Sequence, residues 1–151
     1  MDRPLIIYLH GFCSSPASWK SLLLAKEMAR RGLAERFVCP QLSTVPDEVA
    51  AGIGRLIEMA DGPVTLVGSS LGGHYANHLA ETHDVNAVLI NPAAVDRLDA
   101  AKFVGEHANF LTGERFTFTA AHAAQLEAQV RRPTPARYWL LAEEGDEVLD
   151  W

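Results

Sequence analysis

The residues best placed to do chemistry are Gly68-Ser69-Ser70-Leu71-Gly72. An apolar, β-branched run ends at the first glycine, and an Ala- and Leu-containing helical pattern begins after the last. This is G-x-S-x-G in a strand, sharp turn, helix context, the setting in which such a serine becomes a nucleophile. The predicted turn strains the backbone of Ser70, and Gly68 and Gly72 leave room for strand and helix to cross closely. Ser70 Oγ is then presented at the carboxyl end of a parallel strand. The Leu71 amide falls at a helix N-terminus, where N–H groups lack partners and the dipole favours negative charge, so it can stabilise an oxyanion. A plain glycine-rich turn is the competing reading of the bare pentapeptide.

A serine nucleophile needs a base, and the sequence holds six histidines. His10 follows the first strand and competes for that role. His74, His78 and His83 belong to the helix after the turn or to its end, where they read as surface or packing residues. His74 and His78 have the i, i+4 spacing of a zinc pair, but position 75 is Tyr where a metalloprotease motif has glutamate. No phosphate-cradling G-x-x-x-x-G-K-[ST] is present. The sequence therefore calls for no metal and no cofactor.

The elements that must position these residues follow from hydrophobic pattern. Residues 5–9 are a continuous apolar run, as in a strand buried on both faces of a parallel sheet. A helix is predicted from about Ala17, with Trp19, Leu22, Leu23, Met28 and Ala29 on its apolar face and Gly32 as its stop. Residues 36–39 read as a second strand. A second helix carries Val49, Ile53, Leu56, Ile57 and Ala60. The strand before Ser70, its helix, and a strand over 85–90 follow. Residues 137–142 read as a fifth strand, and the stretch 93–135 between them reads as a helical insertion capping the strand ends. This alternation predicts an α/β fold, a doubly wound, mostly parallel sheet in a single domain over 1–151. Ligands in such sheets bind at the carboxyl ends of the strands, where Phe12, Ser70 and Asn91 fall.

Composition bounds the function. Of 151 residues, 48% are hydrophobic and 21% charged, which suits a globular domain. A net charge of −6 argues against nucleic acid as a partner. No apolar run approaches a membrane span, and no signal-peptide layout opens the chain. Cys13 and Cys39 read as free thiols in a reducing cytoplasm.

Taken together, these motifs resemble the α/β-hydrolases, and among them the small bacterial esterases of the YqiA type. Tyr8-Leu9-His10-Gly11-Phe12 with Ser14-Ser15-Pro16, the Ser70 motif, and Gly145-Asp146-Glu147-Val148-Leu149-Asp150 carry the resemblance. Asn91-Pro92-Ala93 and Thr112-Gly113-Glu114 also fit. The resemblance implies that Phe12 supplies the second oxyanion amide opposite Leu71, and that Asp146 is the acid orienting a catalytic imidazole. Cys13 stands where the family usually has asparagine. His122 matches a histidine common in the family, with a structural or lid role. The resemblance also implies a further strand, a histidine-bearing loop and a final helix, which the sequence as it stands does not carry. The fold thus reads as C-terminally shortened, and no histidine follows Asp146. The expected function is a serine esterase acting on small-molecule carboxylic esters or thioesters. The alternative is a catalytically impaired or non-catalytic binding or scaffold protein. Residues 137–142 are expected to form an apolar edge open to self-association, or to be covered by Val148, Leu149 and Trp151.

Overall fold

A computed structural model describes residues 3–142. Five strands form one parallel sheet: β1 (Leu5–Leu9), β2 (Phe37–Val38), β3 (Val64–Ser69), β4 (Asn86–Ile90) and β7 (Tyr138–Leu141), in the order β2-β1-β3-β4-β7. The chain steps from β1 to β2 on one side, then returns past β1 to β3 on the other. Right-handed crossovers in opposite directions along the sheet put their helices, α1 (Trp19–Arg30) and α2 (Pro46–Glu58), on opposite faces. The reversal lies between β1 and β3, which pair from Leu5↔Val64 to Leu9↔Gly68. In sheets of this kind the crevice that takes a ligand is expected at the carboxyl ends of two such strands.

The core follows from the sequence pattern. Ile7, Leu9 and Leu66 are fully buried, and α3 (Leu71–His83) adds Tyr75, Ala76, Leu79 and Ala80 from above. From α2, Val49 and Ile53 join the same cluster. Asp84, left-handed at φ 59°, ends α3 and turns the chain into β4.

Two expectations change. Trp19, Leu22 and Leu23 do not face the core: they are 69%, 57% and 56% exposed, and Ser21 is the buried residue of α1. Helical spacing identifies one apolar stripe but cannot say that a neighbour covers it. The stretch between β4 and β7 is also not purely helical. It contains an antiparallel hairpin of β5 (Gly105–Ala108) and β6 (Arg115–Phe118), flanked by a 3-10 turn (Ala100–Phe103) and α4 (Ala120–Ala128). The hairpin sequence Phe116-Thr117-Phe118 has the alternation of a strand, but over too few residues to stand out from a loop.

The junction of β3 and α3 is the tightest place in the fold. A Cβ at Gly72 would lie 1.9 Å from the Leu9 carbonyl oxygen, and one at Gly68 would lie 2.1 Å from the Gly72 carbonyl oxygen. A Cβ at Gly73 would meet Pro92 at 2.6 Å. The first two obstacles are backbone, which cannot swing aside. Gly52, inside α2, has open space around it. Gly72→Ala should therefore prevent folding or lower the melting temperature sharply, whereas Gly52→Ala should stabilise the protein by up to about 1 kcal/mol. Thermal denaturation of the two variants side by side checks this, and equal effects would contradict the close-crossing account.

Candidate active site

Ser70 stands between the last residue of β3 and the first of α3, with φ 55° and ψ −119°. A non-glycine residue at positive φ persists only where its surroundings over-determine it. Here the Ser70 N–H donates to Ile90 O at 3.1 Å, and its carbonyl accepts from Gly73 N and Ala93 N, both at 2.9 Å. Strand β4 and its following loop thus hold both ends of the Ser70 peptide unit. Ser70 is half-buried, and Gly11 lies against it: a Cβ there would sit 3.5 Å from Ser70 Cβ and 4.0 Å from its Oγ.

Leu71 opens α3, and Phe12 follows the end of β1; both line a cavity of about 370 Å³ beside the crevice. Neither amide donates to a described backbone acceptor. Phe12 is held by its ring. It packs edge-to-face against Phe103, His107, Phe116 and Phe118, with centroids 4.9–6.0 Å apart. Such pairs contribute about 0.5–1.5 kcal/mol each beyond simple burial. The hairpin also grips the neighbouring backbone: Phe110 N donates to Cys13 O at 2.8 Å, and Asn109 Nδ2 to Ser14 O at 2.7 Å. Gln41 Nε2, from the loop after β2, reaches the same Ser14 oxygen at 3.3 Å. Cys13 takes the bend at φ 58° and is buried, and burial raises its thiol pKa. Asn109 and Gln41 escaped the sequence reading. Their partners are distant in sequence, and only the asparagine-to-glycine turn signal 109–113 could have suggested a hairpin.

Each of the six histidines is engaged elsewhere. His10 is 4% exposed. Its Nδ1–H donates to Gly11 O at 2.9 Å, and its Nε2 accepts from Leu42 N at 3.0 Å. Burial lowers its pKa, and a protonated Nε2 would face the Leu42 N–H, so the ring is a neutral strut between two loops. His122 Nδ1 accepts from Thr119 N while Thr119 Oγ1 accepts from His122 N, a capping box that starts α4. His83 packs against Gly54, and His107 meets Phe103 O through Nε2 at 2.6 Å. His74 and His78 form a polar joint between α3 and the end of α4. His74 Nε2 lies 3.2 Å from Gln129 Oε1, His78 Nδ1 donates to Gln129 O at 3.0 Å, and Gln129 Nε2 reaches Asp47 Oδ1 at 3.4 Å. No hydrogen bond joins a described histidine to Ser70. No group of histidine, cysteine and carboxylate side chains suited to a metal occurs among the described residues. Asp146, with Val148, Leu149 and Trp151, lies outside the described residues.

A parallel sheet with flanking helices, a strained serine at the turn after β3 and a crevice at the strand ends define the α/β-hydrolase fold. Solved structures agree. The chain aligns with a putative hydrolase from Agrobacterium vitis S4 at 21% identity and TM-score 0.67, over 84% of this chain and 61% of that one. It aligns with alpha/beta hydrolase domain-containing protein 10 from mouse at 20% identity and TM-score 0.60, over 83% and 61%. A third match, from work on the metagenome-derived lipolytic enzymes LipS and LipT, has 17% identity and TM-score 0.62 over 92% and 82%. At these identities the likeness is one of fold. The chain spans about 61% of the length of the first two proteins. Residues 5–151 match the uncharacterised protein family UPF0227, and the chain belongs to that family.

The polar joint makes stability depend on pH. Burial pushes the His74 pKa down from 6.5 to about 4, the main cause, and the neighbouring His78 adds to it. The unfolded chain therefore binds a proton at His74 that the folded protein refuses. Stability is fully present above pH 6.5 and is lost as pH falls through the window down to about 4, by up to roughly 3 kcal/mol. Burial lowers His10 and His78 in the same direction. Urea unfolding at pH 7 and pH 4.5 should show this fall. His74→Gln should flatten it, even if it lowers stability at neutral pH.

Proposed function

We propose that this protein is a serine hydrolase of carboxylic esters or thioesters with small acyl groups, with Ser70 as nucleophile. The single observation that carries the reading is the strained Ser70 backbone at the start of α3, beside a cavity lined by Phe12 and Leu71. Backbone strain maintained against the φ preference of serine has a use when it delivers Oγ to a substrate carbonyl. In this reading Oγ attacks the carbonyl carbon. The amides of Phe12 and Leu71 stabilise the oxygen that gains charge, and losing one such donor typically costs on the order of a hundredfold in rate. Asp146 orients an imidazole that takes the Ser70 proton and returns it to the leaving group, and water then releases the acyl group.

The second reading, a catalytically impaired or non-catalytic binding protein, is favoured by one observation: no described histidine hydrogen-bonds Ser70. Added imidazole separates the two. The 151-residue protein should turn over a short-chain nitrophenyl ester only slowly. Imidazole should add a Ser70-dependent component, on the order of tenfold or more above the imidazole reaction without protein, because a supplied base replaces a missing one. Ser70→Ala should remove that component. A rate with imidazole that is the same for both proteins would favour the binding reading. High activity without imidazole would mean that an in-chain histidine reaches Ser70, and His122→Ala would test the first candidate.

The cavity volume suits a small-molecule substrate. No helix among the described residues is long and apolar enough to cross a membrane. The free thiols Cys13 and Cys39 support a reducing compartment, and the cytoplasm is the proposed location. Self-association through β7 belongs to the same proposal. Trp139, Leu140 and Leu141 are 60%, 58% and 56% exposed on the last described strand of the sheet, an arrangement that invites pairing with a second copy. Sedimentation of the 151-residue protein should show concentration-dependent association. Trp139→Lys should reduce it, and a monomer at every concentration would refute it.

A further inference from the structure

The cavity beside Ser70 has a chemical polarity of its own. Part of its lining is aromatic and aliphatic: Phe12, Leu71, Tyr75, Phe116 and Phe118. The polar lining comes from three separate loops, with Ser14, Gln41, Ser43, Thr44, Asn109 and Glu114. Among all the lining residues, Glu114 alone carries a formal charge at neutral pH, because the buried His10 is held neutral. Its carboxylate forms no ion pair among the described residues. The adjacent Arg115 turns instead to Glu106, 3.4 Å away across the hairpin.

The position of Glu114 is fixed by its backbone. Its carbonyl accepts from Asn109 N at 2.8 Å, and its N–H donates to Thr112 Oγ1 at 3.2 Å. Asn109 Oδ1 closes the turn by accepting from Leu111 N and Thr112 N, while its Nδ2 ties the turn to Ser14 O. The carboxylate therefore sits on a turn anchored to the loop that carries Phe12. A carboxylate without an ion-pair partner, lining a cavity, favours a cation by direct attraction. The same charge repels an anionic group.

We propose that Glu114 sets the substrate class of this site: esters or thioesters that carry an ammonium group, in preference to neutral or anionic ones. The proposal rests on the cavity beside Ser70 being the substrate site. Its test does not require turnover, so a failure of the serine mechanism and a failure of this assignment are read separately.

The probes are three unreactive methyl ketones of one length, ending in trimethylammonium, in tert-butyl or in carboxylate. Their dissociation constants for the 151-residue protein are measured by protein-observed NMR titration. The ammonium ketone should bind about threefold or more tighter than the tert-butyl ketone, the size of one partly exposed ion pair, and the carboxylate should bind most weakly. Added salt should shrink the first ratio. Glu114→Gln, an exposed position at which folding can be checked by circular dichroism, should bring the ammonium and tert-butyl probes to equal affinity. Ser70→Ala should leave the ratio intact. The assignment is overturned if the ratio is the same in the Glu114→Gln protein, if the tert-butyl ketone binds tightest, or if none of the three probes binds.

Discussion

The contact on which the rest of the structure depends is between two backbones. Helix α3 leaves the sheet so close to β1 that Gly72 touches the carbonyl of Leu9, with no space for a single methyl group. At the same junction the turn at Ser70 joins β3 to the helix at positive φ, a conformation sparsely allowed for a residue with a side chain. The close approach also brings the beginning of α3 beside the loop after β1, so that Leu71 and Phe12 share one cavity. The strain is offset locally. Ile90 and Ala93 hold the Ser70 peptide unit through hydrogen bonds, and the buried faces of α3 and β3 hold the rest.

A second layer of constraint comes from side chains that look reactive in the sequence and act as fasteners in the fold. His10 joins the loop after β1 to the loop after β2, and it can do so only as a neutral ring. His122 caps α4, and His74 with His78 pins the end of α4 to α3. Histidine suits such places because one ring offers a donor and an acceptor at opposite corners. Buried histidines of this kind exchange acid resistance for a fixed geometry.

Hydrophobic pattern made most of the sheet legible. The continuous apolar run at β1 and the glycines around Ser70 left little freedom in reading a parallel sheet and the sharp turn from β3 into α3. The pattern misled at α1, where Trp19, Leu22 and Leu23 form a correct helical stripe that points outward. It was silent at the hairpin, whose strands of four residues each are too short for periodicity to register. The clamp around Phe12 was illegible for another reason. Its rings come from positions roughly a hundred residues away, and no local rule connects them. The Phe12 amide was therefore nameable only through family resemblance, while the reason it holds still became visible in three dimensions. Asp146 lies outside the described residues, and the role proposed for it rests on the sequence alone.

The oxygen of Ser14 accepts hydrogen bonds from Asn109 on the hairpin and from Gln41 after β2. Three segments of chain, far apart in sequence, thus share one acceptor atom. This has a bearing on modularity. The segment between β4 and β7 can be lengthened or replaced without interrupting the sheet. It is not an independent module, however. A transplanted segment lacking an amide at the position of Asn109 would leave the loop after β1 without one of its ties. The loop after β1 and the hairpin segment would then have to be redesigned as one unit, and the boundary of that unit would run through Ser14.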